Sequence, residues 1–175
     1  NDVEIITESW LEEMLQLCQQ KDVGMAGAKL YYPDDTIQHA GVVVGLGGVA
    51  AHVLCKLPRD AEGYMGRLRC VQEISAVTAA CMMVKTSVFK AVGGFDEELK
   101  VAFNDIDLCM KVRKYGVKIV FTPYAELYHY ESKSRGMEDT PEKQLRFSRE
   151  VNCFRRKWER ELLKGDPYYL SLIHI

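Results

Sequence analysis

The sequence predicts an α/β domain: a mixed sheet with helices on its faces. Apolar residues repeat at helical spacing in separate stretches, as in Trp10, Leu11, Met14, Leu15 and Cys18. Short continuous apolar runs, which read as buried strands, lie between those stretches. Runs and helices alternate through the middle of the chain, with no internal repeat and no low-complexity tract. The 175 residues, 47% apolar and 10% aromatic, suffice for one domain with a core and exclude a disordered chain. A net charge of −2 argues against nucleic-acid binding through general basicity. No apolar run is long enough to span a membrane as a helix.

The elements follow in order. Thr7 as N-cap, with Ser9 and Glu12 forming a capping box one turn later, opens a helix over about Glu8 to Gln20. Val23 to Leu30 is a buried strand and Pro33-Asp34-Asp35 a turn. Gly41 to Val44 is a short β run, followed by a flexible loop at Gly45, Gly47 and Gly48. Lys56 to Arg69 is polar and reads as a surface excursion. Val77 to Val84 is a second buried strand, and Thr86 to Val92 a short helix stopped by Gly93-Gly94. Asn104 to Tyr115 is the clearest helix. Asn104 caps it, Asp105 and Asp107 suit its first turn, Arg113 and Lys114 its last, and Gly116 closes it. Val117 to Phe121 is a strand ended by Thr122-Pro123, and Ala125 to His129 is a further extended segment. Pro141 opens a long helix to about Leu163 with a stripe of Phe147, Val151, Phe154 and Trp158. Leu170 to Ile175 is an apolar stub read as non-native. The organisation expected is therefore a domain over 1–165 and a tail over 166–175.

Six cysteines are present and none form a CxxC pair, which gives no support to a zinc ribbon or a thioredoxin-like site. Cys18 and Cys109, set among apolar residues, read as buried thiols in a reducing cytoplasm. His39 and His52 read as surface or satisfied core histidines. Gly45-x-Gly47-Gly48 lacks the Lys-Ser/Thr and the helix of a phosphate loop.

Three segments have the composition for chemistry, each with a plainer alternative. Asn1-Asp2-Val3-Glu4 is an acidic surface turn, or it holds a hard divalent cation whose shell phosphate oxygens complete. Asp105 and Asp107 complement a helix dipole, or Asp105 serves at the mouth of a pocket as a general base. Tyr128-His129-Tyr130 through Gly136 is a polar loop, or a diphosphate lid. In the lid, His129 ligates metal and Lys133 and Arg135 neutralise phosphate, with Ser132 adding a hydrogen bond.

Taken in order, the segments resemble family 2 glycosyltransferases of the GT-A fold, close to those that build bacterial O-antigen and other surface polysaccharides. Asn1-Asp2-Val3-Glu4, Ser9 to Leu15, Gly27 to Pro33 and Ile37-Gln38-His39-Ala40-Gly41 carry the likeness. So do Ala76 to Val84, Val92-Gly93-Gly94-Phe95-Asp96-Glu97, Phe103 to Cys109 and His129 to Gly136. Each piece is modest alone, and the ordered set is specific.

The resemblance implies roles. Asp2 ends an acidic motif that binds Mn²⁺ or Mg²⁺, and His129 completes the metal shell. Asp105 matches the catalytic base, and Asn104 stands where Glu is common. Asn104 and Asp107 would lie on the acceptor side. Ala79 and Ala80, with Ala79 where Gly is common, would lie beside the donor sugar. Ser132, Lys133 and Arg135 would bind the diphosphate.

The reaction implied is inverting transfer from a nucleotide-sugar donor to a saccharide or lipid-linked acceptor. It would take place in the cytoplasm, with peripheral association at the inner face of the membrane. The resemblance also implies that a nucleotide-binding half precedes Asn1. This chain alone would then be inactive and expose a sheet edge. Two other readings compete: a non-catalytic carbohydrate-binding or scaffold domain of the same fold, and a metal-dependent nucleotidyltransferase.

Overall fold

The computed structural model describes residues 2–130 and 140–169. Two long strands form the centre of its main sheet. Val23–Tyr31 (β2) is buried at every position, as its run of Val, Met, Ala and Leu requires. Lys118–His129 (β8) lies parallel to it, in register from Val23↔Lys118 to Tyr31↔Tyr128. Shorter strands complete both edges. Gln72–Glu73 (β6) pairs with the first half of β8 and Val3–Ile5 (β1) with its end, both antiparallel. Met82–Val84 (β7) pairs with the start of β2 and Ile37–His39 (β3) with its end, again antiparallel. A separate hairpin joins Val42–Val44 (β4) to Ala50–His52 (β5). The mixed sheet matches the predicted class.

Helices cover both faces. Trp10–Gln19 (α1) places Met14, Leu17 and Cys18 against Ala26, Ala28, Leu30, Val120 and Leu127. The other face carries Asn104–Tyr115 (α3) and Pro141–Lys164 (α4), whose Ile106, Cys109, Val112, Phe154 and Trp158 join Met25, Tyr31 and Phe121. Thr86–Ala91 (α2) ends at Gly93 and Gly94, both with positive φ. Close packing here depends on Gly27. A Cβ on it would lie 2.3 Å from Val77 Cγ1 and 2.6 Å from Val77 Cβ. Gly27→Ala is expected to lower stability by about 1–3 kcal/mol, the usual cost of overpacking, measured by urea unfolding.

Several local expectations are corrected. Ser9 occupies the α1 N-cap without a side-chain bond, so no capping box forms. Thr7 Oγ1 instead accepts from Glu126 N at 3.1 Å, tying the helix entry to β8. Only Met82–Val84 of the second apolar run is strand, because Ala79–Cys81 forms a 3-10 turn capped by Thr78. β8 does not end at Pro123. Gly27 pairs with Phe121 and Lys29 with Glu126, so residues 122–125 bulge out opposite Ala28. A proline fits there because the bulge needs no ladder donor from it. Asn104 is the first residue of α3, and the N-cap is Phe103. Phe147 is half-exposed, although its ring lies 5.7 Å from that of Phe103.

The six cysteines are free thiols, with Cys18 and Cys109 buried as expected. Burial pushes both thiols up. The chain past α4 folds back: Asp166 Oδ2 accepts from Val44 N at 2.8 Å, and the Tyr168 hydroxyl donates to Glu73. β1 is an edge strand exposed along its length.

An ion cluster ties α4 to α3 and to the loop after α2. Lys157 donates to Asp96 and, at 2.7 Å, pairs with Asp107 Oδ1. The Lys157 hydrogen bond and Glu98 N hold Asp96 below its ordinary value of 3.8. Burial pulls the Lys157 ammonium down, but the bonds from Asp107 and Asp96 outweigh it and leave it above 10.5. The contribution of Asp96 is thus complete above pH 3.8 and lost as pH falls through its lower folded value. That of Lys157 is complete below pH 10.5 and lost as pH rises through its higher folded value. The stability difference between wild type and Asp96→Asn, followed by thermal melts, is expected to be constant inside that window and to shrink outside it.

Candidate active site

The end of β8 meets the start of β1. Val3 pairs with His129, and Tyr130 N donates to Asp2 O at 2.8 Å. This brings together two side chains that are distant in sequence: His129 Nε2 lies 3.8 Å from Asp2 Oδ2. Gln38, the middle residue of β3, fixes the His129 ring. Its Nε2 donates to the His129 carbonyl at 3.2 Å, and its Oε1 lies 2.7 Å from His129 Nδ1. A carbonyl only accepts, so the amide orientation is set. Oε1 therefore faces Nδ1, and Nδ1 carries the proton. In the neutral imidazole the Nε2 lone pair then faces the Asp2 carboxylate oxygen, 3.8 Å away and beyond hydrogen-bond distance. Two acceptors held this way fit a cation between them.

Among the described residues no group of three or more His, Cys, Asp or Glu side chains is placed to hold a metal. Asp2 and His129 are the two side chains here that could serve as ligands, and any further positions would fall to non-protein oxygens. Within Ile37-Gln38-His39, Gln38 carries no clear local signal of a role. Its position next to a histidine was a signal too short to interpret without the β3–β8 juxtaposition.

His39 is fully buried. Thr78 N donates to its Nε2 at 3.5 Å, so its proton sits on Nδ1, which lies 3.0 Å from His52 Nδ1. Burial, with His52 and His129 nearby, holds His39 well below 6.5. It is a satisfied core histidine, neutral and structural, and it fastens β3 to the Thr78 turn. That turn presents the next residue to α3: Ala79 N donates to Asp105 Oδ2 at 3.0 Å. Asp105 Oδ1 accepts from Ile106 N at 2.8 Å. Asp2, His129, Gln38, His39, Thr78, Ala79 and Asp105 are thus connected through hydrogen bonds, backbone and one close polar contact. The proposed donor-side loop, with Ala79 exposed and Ala80 bonded to Thr78 Oγ1, touches the proposed base.

Phe103, before α3, has a left-handed backbone (φ 64), which costs a non-glycine residue about 1 kcal/mol or more. Its ring, 5.7 Å from Phe147 and 5.5 Å from Phe154, holds it in place, so α4 sets where Asp105 begins its helix. Asn104 lines an open cleft of about 440 Å³ with Phe95, Asp96, Glu97, Leu99 and Lys100. Asp107, expected on the acceptor side, points into the core between α3 and α4. It is fully buried and accepts from Trp158 Nε1 at 2.8 Å. Lys111 Nζ is 3.0 Å from its Oδ2, close enough for charge pairing though outside hydrogen-bond alignment. Ser132, Lys133 and Arg135 lie outside the described residues.

The curled mixed sheet with helices on both faces is consistent with a GT-A-like fold. The chain belongs to glycosyltransferase family 2: the family described as "Glycosyltransferase like family 2" matches residues 2–149. The uncharacterized protein y4gI of Sinorhizobium fredii is 57% identical over 170 residues, 97% of this chain and 19% of that protein. The O-antigen biosynthesis protein RfbC of Myxococcus xanthus is 37% identical over 170 residues, 97% of this chain and 13% of that protein. An N-acetylglucosaminyl-diphospho-decaprenol L-rhamnosyltransferase of Mycobacterium tuberculosis is 36% identical over 62 residues, 35% of this chain and 20% of that protein. The chain spans a fifth or less of the length of these relatives. Among the described residues no helix is long and apolar enough to cross a membrane.

Proposed function

We propose that this chain forms the metal-binding and acceptor-side part of an inverting glycosyltransferase. It would move a sugar from a nucleotide-sugar to a saccharide or lipid-linked acceptor in surface polysaccharide synthesis, at the cytoplasmic side of the membrane. The observation that carries the reading is the meeting of Asp2 and His129, oriented by Gln38, and the series of contacts that runs from Gln38 through its neighbour His39 to the Thr78–Ala79 turn, which touches Asp105.

In this reading Asp105 accepts the proton of an acceptor hydroxyl as that oxygen bonds to the anomeric carbon. The bond from that carbon to the diphosphate oxygen breaks, and the configuration inverts. Ala79 N and Ile106 N orient the carboxylate and leave lone pairs for the hydroxyl. Asp2 and His129 would hold Mn²⁺ or Mg²⁺, which supplies positive charge to the departing diphosphate. Asn104 would contact the acceptor from its cleft. Ser132, Lys133 and Arg135, on the segment after His129, would add cations and hydrogen bonds to the diphosphate.

The test is release of nucleoside diphosphate from a panel of nucleotide-sugars by a protein joining this chain to a nucleotide-binding half. Release that requires both a divalent cation and Asp105 supports the reading. Saccharide binding without any release would favour the scaffold reading instead.

A further inference from the structure

The β8 bulge at residues 122–125 opens a second pocket. Where the β2–β8 ladder resumes, Lys29 stands opposite Glu126. Lys29 is only 4% exposed. It lines a pocket of about 510 Å³ together with Arg59, Asp60, Arg69, Tyr124 and Glu126.

Its ammonium makes no hydrogen bond or ion pair among the described residues, and it lies over the Tyr31 ring, 5.3 Å from Nζ to centroid. The obvious partner is already taken. Glu126 Oε1 accepts from the Tyr31 hydroxyl, and Oε2 accepts from Arg59 at 3.1 Å. Arg59 is itself fixed by that pair and by its stacking, 4.9 Å over Tyr31. Arg69 pairs at the exposed rim with Glu62 at 3.0 Å.

An ammonium removed from water costs free energy until an anion meets it. Burial, with Arg59 and Arg69 nearby, pulls this ammonium below the ordinary lysine value, and Glu126 opposes the shift. Three cations thus converge on this pocket; Arg59 pairs with Glu126 and Asp35 and Arg69 with Glu62, and Lys29 is the one of the three with no carboxylate partner among the described residues.

We propose that the Lys29–Arg59–Arg69 pocket is a binding subsite for an oxyanion, a carboxylate or phosphate group of a glycan or glycan carrier, separate from the Asp2–His129–Asp105 centre. Lys29 supplies the buried charge, Arg59 the wall and Arg69 the exposed rim. Naming a glycan as the bearer rests on the proposed function; the oxyanion chemistry does not.

The experiment is an NMR titration of the full chain at constant ionic strength, with inorganic phosphate in one series and sodium glucuronate in another. Saturable shifts centred on Lys29, Arg59 and Arg69 are expected in at least one series, and the stronger series identifies the group. Lys29→Met is expected to weaken binding about tenfold or more, the loss of one charge-assisted bond. Should that variant not fold, Arg69→Ala gives a smaller weakening with the same readout. No saturable shift in either series, or shifts unchanged in the variants, overturns the proposal. Asp105→Asn leaves this titration unaltered, so failure here and failure of the transfer reading are distinguishable.

Discussion

Replacing Asp105 by Asn is expected to lower glycosyl transfer by about 10²- to 10⁴-fold, the range for losing a general base, while donor binding stays nearly intact. Asn keeps one carbonyl oxygen, enough to accept from either Ala79 N or Ile106 N. The turn and the start of α3 should therefore persist. The amide cannot take up the acceptor proton, so the loss should fall on turnover rather than on donor affinity. The check is a comparison of kcat and donor affinity in a longer, transfer-active protein that carries this chain. Near-normal turnover would remove Asp105 from the base role.

The second large effect is on stability. Asp107→Ala is expected to cost about 3–5 kcal/mol, the range for breaking a buried charge pair. It leaves Lys157 and Lys111 without their shared carboxylate and the Trp158 indole N–H without its acceptor. Because α4 is fastened to α3 through this residue, the loss should appear as a lower midpoint in chemical denaturation. Asp107→Asn, which retains the Trp158 acceptor but not the charge, should lose less. An unchanged midpoint with weakened acceptor binding would return Asp107 to the acceptor side.

These two aspartates show what the sequence carries and where it falls short. They lie two residues apart on one helix, and local patterning treats them alike. Only α4, arriving from more than thirty residues further on, buries Asp107 and leaves Asp105 at the turn. The central strands and the α3 span were legible because their apolar runs and periodicity are local signals. Pro123 reads locally as the end of a strand, whereas the bulge that lets β8 continue past it depends on the register with β2. The Ala79–Cys81 turn read as strand because small apolar residues suit both, and Thr78 capping decided between them. In the site, the convergence of Asp2 with His129 is a product of β1–β8 pairing. Composition alone could name those two residues but not join them. Gln38 and Lys29 carried no local signal of role, since their meaning lies in what faces them across the sheet.

The most direct measurement is a Mn²⁺ titration of the chain followed by electron paramagnetic resonance. The arrangement predicts one saturable site that is lost in Asp2→Ala and His129→Ala. It should be weakened about 10- to 100-fold in Gln38→Ala, as for residues that orient a ligating histidine, and retained in Asp105→Asn. Saturable binding that survives loss of both Asp2 and His129, or no saturable binding at all, would contradict the metal centre on which the account rests.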